Sequence, residues 1–173
     1  MKSKRVLLLV VIVLMIIITL GPHPVSAQAI RTVYTATEIP TGLTYPGDWK
    51  LLPNGGQHFR GQVIPTIELA TDPRASGIGT LVANGNLDPT GTGPIWGTMT
   101  NVVPDSASCE GGGVWYGTWA GKMSFSQGYV YWFGVMQGVS GCVEGMMVRF
   151  ESDMCVPQMP CAYTGTLVNP YGE

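Results

Sequence analysis

The sequence predicts an all-β protein, an antiparallel β-barrel of about eight strands, with a β-sandwich as the alternative. Three observations carry this. Residues 111–138 alternate glycine with large apolar side chains at period two, the side-chain period of a strand. No stretch keeps helical i, i+3, i+4 spacing for three turns without a glycine or proline. Short alternating segments recur at even spacing with turn residues between them, as in sandwiches and barrels. Glycines placed in successive strands let a sheet curve, and so favour the barrel.

Taken in order, residues 30–37 alternate β-branched and polar side chains and read as a first strand. Pro40, Gly42, Pro46 and Gly47 form a loop, and a short segment over 49–52 ends at the turn cluster Pro53-Asn54-Gly55-Gly56. Residues 58–69 read as a half-buried strand with Phe59, Val63, Ile67 and Leu69 on the core face and His58, Arg60, Gln62, Thr66 and Glu68 on a polar face. Strands over 78–87 and 95–103 follow, with Pro89 and Pro94 in their connection, where they cost no ladder bonds. Beyond the central hairpin, residues 143–151 and 163–168 supply the last strands.

The hairpin carries its own register. With Ser126 and Gln127 as the loop, Trp119 faces Gly134, Gly121 faces Trp132, Gly117 faces Met136 and Trp115 faces Gly138. Each large side chain then covers a glycine. The other face pairs Lys122 with Tyr131, Ser124 with Tyr129 and Thr118 with Val135, and is at least partly wet. A three-residue loop closed by Gly128 would shift this register by one.

The chain opens with Met1, Lys2, Lys4 and Arg5, an apolar run over 6–20, and the small-residue exit Val25-Ser26-Ala27, the pattern of a secretory signal peptide over residues 1–27. Fifteen apolar residues fall short of the roughly twenty that a membrane-spanning helix needs. The expected mature protein is then one secreted domain over 28–173, with no membrane attachment after cleavage. An uncleaved anchor is the alternative. The mature part holds six basic residues against eleven acidic ones, a net charge of −5, which argues against nucleic acid and anionic membranes as partners.

All four cysteines lie in the exported part, so disulfides are the first reading. The hairpin register puts Cys109 and Cys142 diagonally opposite at its open end. Cys155 and Cys161 remain as the second pair, across a loop stiffened by Pro157 and Pro160. A zinc site is the competing reading, but no C-x-x-C is present and one histidine survives cleavage, so no metal and no cofactor is expected.

Catalytic signals are weak. His58 has no G-x-S-x-G partner motif and reads as an exposed strand histidine. Arg60, Glu68, Glu144, Arg149 and Glu151 read as surface cross-strand charges, with a polar lining at one barrel mouth as the alternative, and Asp72, Asp88 and Asp105 as residues that cap their own turns. The denser feature is an aromatic and methionine set: Trp96, Trp115, Trp119, Trp132, Phe133, Tyr129 and Tyr131 with Met99, Met123, Met136, Met146 and Met147. It reads either as a filled barrel core or as the wall of an apolar pocket, because an eight-stranded barrel can do either.

Asn86-Leu87-Asp88, Gly93-Pro94-Ile95-Trp96-Gly97-Thr98, residues 113–121 and residues 143–149 resemble the strand signatures of small exported bacterial proteins of unknown function. Those resemble in turn the allene oxide cyclase and dirigent type of β-barrel. The resemblance spans roughly residues 57–168. It implies a barrel whose cavity takes a hydrophobic or phenolic molecule, and it carries none of that family's active-site residues onto this chain. The expected function is therefore binding of a small apolar or aromatic ligand by Trp115, Trp119, Trp132 or Met136. A cyclase- or isomerase-like enzyme and a non-catalytic surface module are the alternatives.

Overall fold

In a computed structural model the described residues are 28–172. The signal-peptide reading, residues 1–27, lies outside them. Nine strands follow in order: β1 Ile30–Pro40, β2 Asp48–Leu51, β3 Gln57–Ala70, β4 Gly77–Leu87, β5 Thr92–Val103, β6 Gly113–Ser124, β7 Tyr129–Gly141, β8 Met147–Ser152 and β9 Cys161–Asn169. Among the described residues no helix is long and apolar enough to cross a membrane.

All strand pairs are antiparallel, and the sheet runs β1-β9-β8-β7-β6-β5-β4-β3-β2. A further β1 to β3 pairing closes eight strands into a ring, leaving β2 as an added edge on β3. The barrel-like antiparallel sheet expected from the glycine pattern is thus present.

The β6–β7 hairpin has the register read from its glycines. Trp119 pairs with Gly134, Gly121 with Trp132, Gly117 with Met136 and Trp115 with Gly138, and Ser124 with Tyr129 closes the loop. A Cβ on Gly134 would meet the Phe150 ring, and one on Gly121 would meet the Tyr131 carbonyl and lie 2.9 Å from the Trp132 Cα. The inner side chains need that space. Both expected disulfides are formed, with Cα separations of 5.2 Å for Cys109–Cys142 and 5.4 Å for Cys155–Cys161.

The first, third and eighth strands depart most from expectation, the first by running on to Pro40. The eighth begins at Met147 rather than at 143. Gly141 and Gly145 take left-handed φ of 69° and 77°, and the Gly145 amide turns back to donate to the Gly138 carbonyl at 3.0 Å, so the chain makes a tight turn there.

The larger correction concerns β3. A bulge between Phe59 and Gln62, with Gly61 at φ 69°, inserts one extra residue against β4. The Asn84 side chain holds it by accepting from the Gly61 amide at 3.1 Å. An odd insertion reverses the faces of everything downstream. Phe59 points inward as expected, but beyond the bulge Thr66 and Glu68 are buried at 0% and 1% exposure while Ile67 and Leu69 face out.

The two ends of the ring are filled differently. At one, Trp115, Val103, Val143, Val148 and Leu167 are buried, and the 3-10 turn Pro73–Ala75 lies against Trp115 and β5. The turn is fastened by Trp115 Nε1 donating to the Arg74 carbonyl at 2.7 Å and Asn101 Nδ2 donating to the Ala75 carbonyl at 3.0 Å. Asp72 caps the turn and pairs with Arg74 at 2.8 Å, the one ion pair among the described residues. Asp88 and Asp105 likewise accept backbone amides in their turns.

Because the Gly121 Cβ would strike backbone rather than a movable side chain, Gly121→Val should destabilise the protein by about 3 kcal/mol, the upper part of the overpacking range. Thermal melts check this, and coincident melts of variant and parent would contradict the hairpin packing.

Candidate functional site: a hollow barrel mouth with a buried carboxyl

The opposite end of the ring is open. A cavity of about 510 Å³ enters the barrel there, within the range of small-molecule sites. β3, β4 and β5 supply Phe59, Ile64, Leu81, Ala83, Ile95 and Met99 to its wall, and β6 and β7 supply Trp119, Met123, Val130 and Trp132. Three loops form the rim: Thr41, Gly42 and Leu43 after β1, Phe125 at the hairpin tip, and Val156 to Met159 in the small disulfide loop. Leu43, Phe125, Val156 and Met159 are solvent-exposed there, as is Trp49 on β2, whose ring stacks on Phe59 at 4.8 Å between centroids.

The four tryptophan and methionine positions expected to bind ligand divide between the two ends. Trp119 and Trp132 line the cavity. Trp119 is fixed by its Nε1 donating to the Thr98 carbonyl at 3.2 Å, and Trp132 packs on Tyr163 and Phe150 at 5.2 and 5.3 Å between centroids. Trp115 and Met136 do not line it. Trp115 is fully buried against the 3-10 turn, and Met136 lies over Gly117 in the filled part. Part of the aromatic set thus fills one end of the barrel and part lines the cavity at the other, while Phe133 and Met147 of the same set face outward.

The one acidic group on the cavity wall among the described residues is one that period-two reading of the first strand stopped short of. That strand extends to Pro40, so the inward series Tyr34, Ala36 continues to Glu38. Glu38 lines the cavity and is 4% exposed. Its strand neighbours in the closed ring are Cys161 on β9 and Glu68 on β3. Glu68, expected on the surface, is turned inward by the Gly61 bulge and buried beside it. The isolated glycine within an alternating strand was the available signal for that bulge.

The two carboxyls are treated unequally by their surroundings. Glu68 Oε1 accepts from the Thr66 hydroxyl at 2.8 Å, and its Oε2 accepts from the Tyr163 hydroxyl at 3.1 Å. No hydrogen bond reaches the Glu38 carboxyl among the described residues. Burial, and then the charge of Glu68, push the Glu38 carboxyl well above the usual glutamate value of 4.5. Burial also raises Glu68, partly offset by its two hydroxyl donors. Donors stabilise the charged form, so when the pair holds one negative charge it resides on Glu68 and the proton on Glu38. Tyr163 and Tyr34, also buried beside this pair, are held protonated by burial and by the Glu68 charge.

The other ionisable candidates lie elsewhere. His58 sits between Lys50 and Asn86 on the sheet, away from the cavity wall. Arg60 donates to the Phe59 and Gly85 carbonyls and to Asn86 Oδ1, and its guanidinium lies 5.0 Å over the Trp96 ring on the outer face. Among the described residues no group of histidine, cysteine and carboxylate side chains could hold a metal ion. No family model matches the sequence, and no curated protein matches it.

The buried acid gives the fold a pH signature. Since the Glu38 carboxyl titrates above 4.5 in the folded protein, the folded state keeps a proton that the unfolded chain has lost, and stability falls as pH rises from about 4.5 through the folded value. Glu38→Gln keeps the neutral shape without the titration. Its melting temperature should fall less than the parent's between pH 5 and pH 8, with a residual slope from Glu68. Identical slopes in a series of thermal melts would contradict the burial of Glu38.

Proposed function

We propose that this protein binds a small, largely apolar or aromatic molecule in the open end of the barrel. The observation that carries this is the cavity of about 510 Å³, walled by Trp119, Trp132, Met99 and Phe59 in a barrel whose other end is tightly filled. Were the aromatic set only a core, close packing would leave no room for such a void. The disulfides support an exported protein working in an oxidising compartment, as the signal-peptide reading expects. The small disulfide loop carries Val156 and Met159 at the rim, so that crosslink would hold the entrance in shape.

A second reading, an isomerase or cyclase acting on an apolar substrate, draws support from Glu38 alone. A protonated carboxyl in a largely apolar cavity is suited to give a proton to a bound molecule. That reading also accords with the resemblance to allene oxide cyclase and dirigent barrels.

Titration with N-phenyl-1-naphthylamine, an uncharged fluorescent probe, should give a saturable rise in emission with quenching of tryptophan. Ala83→Trp, which places an indole in the void from its wall, should weaken probe binding by at least about tenfold, equivalent to ~1.4 kcal/mol. A linear, unsaturable response, or undiminished binding by a folded Ala83→Trp protein, would contradict a ligand pocket.

A further inference from the structure

The cavity wall is chemically one-sided. Among the described residues it includes one acid, Glu38, and no lysine, arginine or histidine. Behind that acid stands a second, Glu68, directly across the β1 to β3 ladder. Glu68 has its own donors in Thr66 and Tyr163, whereas the Glu38 carboxyl is buried, faces the void and receives none. Buried charged groups are ordinarily paired, and with no basic side chain among the described wall residues Glu38 keeps its proton while the cavity is empty.

The surrounding wall matches the same chemistry. Trp132 packs on Tyr163, the phenol that bonds Glu68, so an indole stands close to the carboxyl pair. Trp119 and the stacked Trp49 and Phe59 complete an aromatic lining. Aromatic faces attract cations through the ring quadrupole in addition to the burial that any apolar group gains against them, the more so where water is excluded. An anion, by contrast, would face the Glu38 carboxyl with the Glu68 charge behind it and no cationic side chain among the described wall residues, and like-charge proximity in a low-dielectric site is unfavourable.

Building on the ligand-binding reading above, we propose that the cavity selects apolar molecules bearing a protonated amine, with the ammonium seated on the Glu38 carboxyl and the hydrocarbon against Trp119, Trp132 and Met99. The ammonium supplies the donors and the positive charge that Glu38 lacks, so Glu38 releases its proton to solvent as the amine binds, and Glu68 adds its field from behind without needing contact. The apolar body fills the void and excludes water from the ion pair. A fatty acid or other lipophilic anion of equal size is rejected.

Three probes with one skeleton test this by isothermal calorimetry at neutral pH: 1-naphthylmethylamine, 1-naphthalenemethanol and 1-naphthoate. The amine should bind at least about tenfold more tightly than the alcohol, a difference of ~1.4 kcal/mol, and naphthoate more weakly than either. In Glu38→Gln the amine should lose that advantage while the alcohol keeps its affinity to within a small factor. Equal affinities of amine and alcohol in the unmodified protein overturn the proposal, as does an amine preference that survives in Glu38→Gln. If the alcohol binds and the amine does not, the pocket stands and the amine selectivity falls. If none of the three binds, and N-phenyl-1-naphthylamine does not either, the ligand-binding reading falls with it.

Discussion

The structure depends on one strand serving two partners. Residues 36–38 of β1 pair with β9 on one side and with β3 on the other, and this double pairing closes the ring. Closure removes the two edges that an open eight-stranded sheet would expose. It also decides the chemistry of the interior. Inward side chains that would be far apart on a flat sheet become neighbours, so Glu38 is flanked by Cys161 and Glu68 in a single row across the seam. The disulfide loop is attached to that row through Cys161, and so the entrance and the buried acid are positioned by the same few residues.

The two ends of the barrel are built differently. At the filled end, fully buried large side chains contribute roughly 1.5 to 3 kcal/mol each, and the 3-10 turn satisfies the Trp115 and Asn101 donors that would otherwise be lost to burial. The Cys109–Cys142 crosslink holds the hairpin base there. At the open end the same kinds of residue leave a void, and two acids are buried without a basic partner. Both features cost stability. Local departures from good packing and pairing of this sort concentrate where a protein interacts with something else. The filled end supplies the rigidity that lets the open end keep its shape.

How much of this was legible in the sequence differed residue by residue. The hairpin register could be read because each large inner side chain requires a glycine opposite it, and Trp119 with Gly134 and Gly121 with Trp132 satisfy that requirement in one alignment. The disulfides followed from the register. Glu68 could not be placed by alternation, because a single residue inserted at Gly61 reverses every position after it, and nothing in the polar and apolar pattern counts residues on the partner strand. Glu38 lay one step past the expected end of the first strand, where Pro40 suggested a loop. The split of the aromatic set was illegible for a different reason. Whether Trp115 or Trp119 faces a void is decided by the turn at Pro73–Ala75, which covers one end of the ring and has no counterpart at the other.

The state of the Glu38 carboxyl tests the account most directly, because it depends at once on closure of the ring, on the inward turn of Glu68 and on the absence, among the described residues, of a hydrogen bond or basic side chain at that carboxyl. Carbon-13 NMR of side-chain carboxyls in glutamate-labelled protein, assigned with Glu38→Gln, would follow its titration. The account predicts that this resonance titrates well above 4.5 and shifts when Glu68→Gln removes its neighbour's charge. Titration of Glu38 at the ordinary glutamate value, indifferent to Glu68, would contradict it.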